Sequence, residues 1–103
     1  MKSVIVALIA ASGLIATGAA HADQKLASSK GCMACHSVDK KMVGPAFKEV
    51  AKKYTAKDTD ALVKKVLDGG SGVWGSTPMP ANKAMGVKPE DAKTLVTWVL
   101  SLK

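Results

Sequence analysis

The stretch KGCMACHSV, residues 30–38, sets two cysteines three positions apart and a histidine directly after the second. Two thiols and one imidazole in so short a run serve four chemistries: a disulfide, a zinc site, a redox dithiol or the covalent attachment of a haem. A catalytic dithiol belongs beside a strand-helix-strand unit, and no run in this chain alternates as a strand should. A disulfide between Cys32 and Cys35 would close a tiny loop and constrain little of the unfolded chain. Structural zinc takes four ligands, and the one other histidine, His21, falls in a segment expected to be removed. What remains is C-x-x-C-H as the attachment site of a c-type haem with its iron. Each thiol then adds across a vinyl group of the porphyrin, and His36 is delivered beneath the metal as an axial ligand.

The removed segment is the N-terminus. Lys2 is followed by an apolar run from Val4 to Ala20, and Ala20-His21-Ala22 is a small-x-small cleavage site. Residues 1–22 are expected to be a cleaved signal peptide and residues 23–103 a single monohaem domain. The competing expectation is an uncleaved membrane anchor, since the run approaches the ~17–25 residues that span a bilayer. Gly, Ser and Thr within it favour removal.

All fifteen basic residues are lysines, and the chain carries a net charge of +7. With no arginine and 4% aromatic residues, it has poor tools for reading or stacking bases, so nucleic acid is excluded as a partner. An acidic protein surface or an anionic membrane surface suits it better. Domains of this length bury little of their surface and usually need a staple, a part the haem would play.

The mature region reads as all-α. From about Gln24 to Ala34 the composition favours helix. GPAFKEVAKKY, Gly44 to Tyr54, offers Pro45 as a start and Phe47, Val50, Ala51 and Tyr54 at helical spacing. DTDALVKKVLDGG presents Leu62, Val63, Val66 and Leu67 on one face and stops at Gly69-Gly70. KPEDAKTLVTWVLSLK has Pro89 in its first turn and an apolar face of Ala92, Leu95, Val96, Val99 and Leu102. Four short helices are expected, with one long Gly/Pro-rich connection, GGSGVWGSTPMPAN, packed on something other than a second domain.

The second axial position decides the function. With one histidine after cleavage, bis-histidine ligation is excluded, and methionine, lysine or an empty position remains. Met33 lies between the attachment cysteines, and Met42 is tethered closely to His36 on the same side of the haem. Met79 stands between Pro78 and Pro80, which fix the backbone and aim one side chain rigidly. Met79 is therefore the favoured ligand. Met85 is the rival, although a methionine is most often ordinary packing.

Taken together, GCMACH, VGPAF, GGSGVWG, PMPAN and LVTWVL resemble the small bacterial class I cytochromes c, of the short-chain periplasmic type. The resemblance covers essentially all of residues 24–103. It implies the class I cytochrome c fold, Cys32 and Cys35 as thioether anchors, and His36 and Met79 as axial ligands. It implies also that the Pro45 carbonyl accepts a hydrogen bond from His36, which would orient the ligand and raise its basicity. Trp74 would donate its indole N–H to a haem propionate, and Asn82 would steady the methionine loop. Lys65 falls near the place where some members set an arginine beside a propionate, and a lysine there is a monodentate partner. Trp98 is assigned to the core.

With protein ligands on both faces, iron has no open position for a substrate, and one-electron transfer is the chemistry left. The expectation is thus a soluble, monomeric, periplasmic electron carrier and not an enzyme. The resemblance points to nitrite reductases, oxidases, peroxidases or quinol-oxidising complexes as partners, met through acidic docking surfaces. The alternative is a haem enzyme or gas sensor with a displaceable sixth ligand, and a third reading is a subunit anchored by an uncleaved N-terminus.

Overall fold

The computed structural model describes residues 23–102, and the expected signal peptide lies outside the described residues. Helix α1 covers residues 23–29 of the described part, and a 3₁₀ turn, Cys32–Ala34, follows it. Composition favours helix from Gln24 through Ala34, but the structure interrupts it at Gly31, whose φ of +83° ends the helical path and re-aims the chain. The cysteines thus leave the helix axis and face inward.

Helix α2 spans Phe47–Lys53. It begins two residues later than Pro45, because the preceding carbonyls and the first amides are used elsewhere. Phe47 N donates to Ser37 O at 2.9 Å and Lys48 N to Val38 O at 3.1 Å, so the loop after the histidine supplies acceptors that a preceding turn would otherwise give. Glu49 in the first turn and Lys52 and Lys53 in the last complement the helix dipole. Helix α3, Thr59–Asp68, is entered through a 3₁₀ turn, Ala56–Asp58, where Thr55 N donates to the Asp58 carboxylate at 2.9 Å. Helix α4, Pro89–Leu100, starts with proline in its first position, and Lys88 N donates to Asp91 at 3.2 Å.

The Gly/Pro-rich connection forms a short hairpin where the sequence offers no strand pattern. Strand β1, Gly70–Gly72, pairs antiparallel with β2, Gly75–Met79, in the register Gly70↔Met79 and Gly72↔Gly75 with a bulge between. Both strands are largely exposed and carry no apolar alternation, which is why pattern alone does not reveal them. A further 3₁₀ turn, Asn82–Met85, leads on to α4.

The core joins the two ends of the described part of the chain. Ala27 of α1, Phe47 of α2, and Leu95 and Trp98 of α4 are buried together, with Leu26, Cys32, Met33, Val38, Val99 and Leu102 packed around them. Trp98 is therefore a core residue, and the first and last helices meet beside the attachment turn. Lys30 reinforces this junction by donating to Gly86 O at 3.3 Å and pairing with Asp91 at 3.5 Å. Among the described residues no helix is long and apolar enough to cross a membrane.

Candidate haem site

A mostly apolar cavity of about 270 Å³ opens between the attachment turn, α2, α3, the hairpin and α4. Cys32, Cys35, His36, Pro45, Trp74 and Met79 all line it, and so does Lys65. Asn82 does not; it is buried beneath the methionine loop, where its Nδ2 donates to Val66 O of α3 at 3.0 Å.

The histidine is held from three directions. Within the attachment turn, Cys35 N and His36 N both donate to Cys32 O, at 3.3 and 3.0 Å, and this tight local ring presents both thiols and the imidazole to one cavity. His36 Nδ1 donates to Pro45 O at 2.7 Å. A carbonyl only accepts, so the proton sits on Nδ1, and Nε2 keeps its lone pair for a metal. Phe47 stacks on the imidazole, centroids 4.8 Å apart at 22°, and Trp98 meets Phe47 edge-on at 5.6 Å and 75°. The core thereby buttresses the ring.

The third support is Gly44. Its amide donates to Cys35 O at 2.7 Å, drawing the chain back over the histidine. A Cβ at this position would lie 2.5 Å from His36 Cε1 and 2.9 Å from Nδ1. Glycine is required here by proximity alone. Replacing Gly44 by alanine is expected to cost about 1–3 kcal/mol, as overpacking does, and to tilt the imidazole; denaturant unfolding together with the Soret spectrum checks both. An unchanged midpoint and spectrum would show that the ring has room.

Among the described methionines, Met79 alone lines the cavity. Met33 packs into the core, while Met42 and Met85 are about half exposed or more, at 48% and 58%. Met79 ends β2, next to Gly69 at the C-terminus of α3. Trp74 sits at the turn of the hairpin on the cavity rim, 43% exposed, with the Lys53 ammonium 5.8 Å from its ring centroid. Lys65 folds over Gly70, its Nζ 2.6 Å from where a Cβ there would be.

The residues present fit a covalently held haem. The two cysteines are free thiols, not a disulfide. Burial pushes the Cys32 thiol up, with its own backbone amide opposing and Cys35 adding a smaller upward push; a thioether carries no charge and escapes that penalty. Leu62, Val63, Val66 and Leu67 on α3 stay only half covered by protein, and Leu62 and Val66 face the cavity. A flat apolar macrocycle is what such a face takes. No cluster of three or more His, Cys, Asp or Glu exists among the described residues, so the thiols and imidazole lack the companions zinc requires.

Outside the cavity, Lys83 of the turn after Met79 pairs with Asp68 of α3 at 2.8 Å. That hydrogen bond and charge, helped by Lys64, hold the Asp68 carboxyl below the usual range. A lowered folded value means the contact contributes above the ordinary carboxylate range. It is lost as pH falls through the folded value. Being exposed, the pair contributes little.

Sequence reasoning misses Gly44, Phe47, Lys53 and Gly69 as site residues. For Gly44 the available signal is a glycine next to the proline whose carbonyl orients the histidine; for Gly69 it is a helix-stopping glycine ten positions before the candidate ligand.

Fold and site together define a protein built around one covalently attached haem. Comparison with known proteins agrees. The cytochrome c family profile matches residues 20–103. Cytochrome c-552 of Nitrosomonas europaea is 48% identical over 105 residues, covering 100% of both chains. Cytochrome c-551 of Pseudomonas aeruginosa is 44% identical over 102 residues, covering 96% of this chain and 95% of that one. The crystal structure of Nitrosomonas europaea cytochrome c552 superposes with a TM-score of 0.73 at 45% identity, over 78% of this chain and 99% of that one. A class 1 cytochrome, MtoD of Sideroxydans lithotrophicus, gives 0.64 at 35% identity, over 80% and 94%. The chain belongs to the cytochrome c family, as one of its small class I members. It is an electron carrier with haem c bound through Cys32 and Cys35, not an enzyme.

Proposed function

We propose that this chain is a soluble periplasmic shuttle, exported by residues 1–22, cut after Ala22, and using His36 and Met79 as the two axial ligands of its haem iron. The observation that carries the reading is that His36 and the Met79 side chain belong to one apolar cavity that also receives both cysteines, with His36 Nε2 left free by the bond its Nδ1 makes to Pro45. Bound there, the haem supplies a one-electron couple whose ferrous form a thioether ligand favours.

The protein's own residues do the rest. Pro45 O keeps the proton of His36 on Nδ1, and Phe47 and Gly44 fix the ring plane. The imidazole is thus held in place, which would keep reorganisation at a bound iron small. Trp74, and Lys65 by its position, are suited to meet the propionates at the rim. Leu62, Val66, Leu95 and Val96 line the cavity and would keep water from the face of a bound macrocycle.

The lysine excess suits brief encounters with acidic surfaces of redox partners, of the kind offered by nitrite reductases, oxidases, peroxidases or quinol-oxidising complexes. The working form is a monomer that presents the rim formed by Val43, Val73 and Trp74, all substantially exposed. Stopped-flow transfer to an acidic partner is the test. The second-order rate should fall by about tenfold or more between roughly 10 and 500 mM salt, as the Debye length shrinks from roughly 30 Å to a few ångströms. A rate indifferent to salt would remove the electrostatic part. An intact mass beginning at Met1 in the native host would remove the cleaved shuttle.

A further inference from the structure

The end of α3 and the methionine strand approach each other too closely to admit a Cβ at Gly69. Gly69, the residue that caps α3, has φ +75°. A Cβ built on it would strike Met79 O and lie 2.8 Å from Pro80 C and 2.9 Å from Ala81 N. All three are backbone atoms, in a segment where Pro78 and Pro80 already restrict the dihedrals. No flexible side chain can yield. Directly beside this contact, Gly70 pairs with Met79 across the hairpin, Asn82 Nδ2 reaches Val66 O at 3.0 Å, and Lys83 pairs with Asp68 at 2.8 Å. Residues 66–70 and 79–83 thus form a continuous seam on the segment that brings Met79 to the cavity lining.

We propose that this seam, closed over Gly69, is the positioning device of Met79: it holds the thioether at the distance at which it stays on the iron, and Gly69 is the residue that permits that distance. The proposal rests on Met79 being the sixth ligand. A thioether is a neutral ligand without charge to draw it back once displaced, so its occupancy depends on where the backbone delivers it. Pushing residues 79–81 away from α3 increases the fraction of molecules with the sulfur off the metal. An external ligand that needs the open position then binds with an apparent affinity proportional to that fraction.

Other positive-φ glycines separate proximity from backbone strain. Gly86 has φ +90° with nothing within 4 Å of the place its Cβ would take, and it lies outside the cavity lining. Gly86→Ala therefore carries the dihedral penalty without the collision. The experiment compares holoprotein variants Gly69→Ala, Gly86→Ala and Met79→Ala by the weak red band of the ferric form and by carbon monoxide titration of the ferrous form. Gly69→Ala is expected to weaken the red band and raise carbon monoxide affinity about tenfold or more, whereas Gly86→Ala keeps the band and stays within about twofold of the parent. Should Gly69→Ala fail to fold, Asn82→Ala opens the same seam by removing its buried hydrogen bond to Val66 O, with an expected rise of about five- to tenfold; an unchanged affinity there overturns the proposal. If Gly69→Ala matches Gly86→Ala while Met79→Ala abolishes the band, the seam does not position the sulfur and the ligand assignment stands. A band that survives Met79→Ala overturns the ligand assignment instead.

Discussion

Replacing Met79 by alanine will abolish the weak red band of the oxidised protein, lower its reduction potential by on the order of 0.1 V or more, and let the reduced protein bind carbon monoxide. The potential change is a fraction of the roughly 0.8 V that axial ligation spans among haem proteins. The reason is geometric. Met79 is the described methionine that lines the cavity, Met33 is committed to the core, and Met42 and Met85 are turned toward solvent. Met85→Ala should leave all three readouts in place, being on the exposed turn after the strand. If the two variants exchange phenotypes, the sulfur on the iron is that of Met85 and the chain beyond Pro80 adopts a different path. Potentiometry and absorption spectra of the two purified variants decide this.

The second large effect concerns folding. With Cys32 and Cys35 both changed to alanine, no thioether forms, and the chain is expected to lose cooperative structure at about 25 °C. Among the described residues, no large side chain is fully buried by protein. The protein-only cluster amounts to Ala27, Phe47, Leu95 and Trp98 with partly covered neighbours, and α3 buries none of its residues. A core in a chain this short rarely supplies more than about 3–5 kcal/mol, and here the side of α3 that should contribute faces the cavity. Far-ultraviolet circular dichroism through a thermal scan is the measurement. A haem-free variant that melts cooperatively near the parent's midpoint would show that the polypeptide needs no such centre.

Much of this is legible in the amino-acid order alone. Helices α3 and α4 follow their sequences closely, because acidic residues or proline mark their starts, apolar residues recur at helical spacing, and Gly69 stops α3. The haem follows from eliminating what two thiols and one imidazole without companions fail to build. Where pattern falls short, the reasons are physical. Helix α1 ends ahead of Gly31 rather than running to Ala34, since a single positive dihedral outweighs helical composition on its far side. The hairpin escapes notice because glycine and proline strands exposed on both faces carry no alternation. Gly44 and Phe47 look like the prelude to a helix and one point on its apolar face; that both touch the imidazole depends on the fold-back made by Gly44 N and Cys35 O, which spacing does not encode. Asn82 is expected from the family resemblance to steady the methionine loop. Its partner, Val66 O on α3, is visible only in three dimensions.

The scarcity of deeply buried side chains has a consequence for how the molecule is made. Cys32 packs against the cluster that joins α1 to α4 while also lining the cavity, so closure there leaves its sulfur less accessible than in an open chain. A polypeptide that does not close by itself would keep both thiols open to the porphyrin, and the residues from Gly31 to His36 are contiguous, needing no distant segment to assemble them. On that expectation, attachment of the porphyrin precedes compaction of the chain.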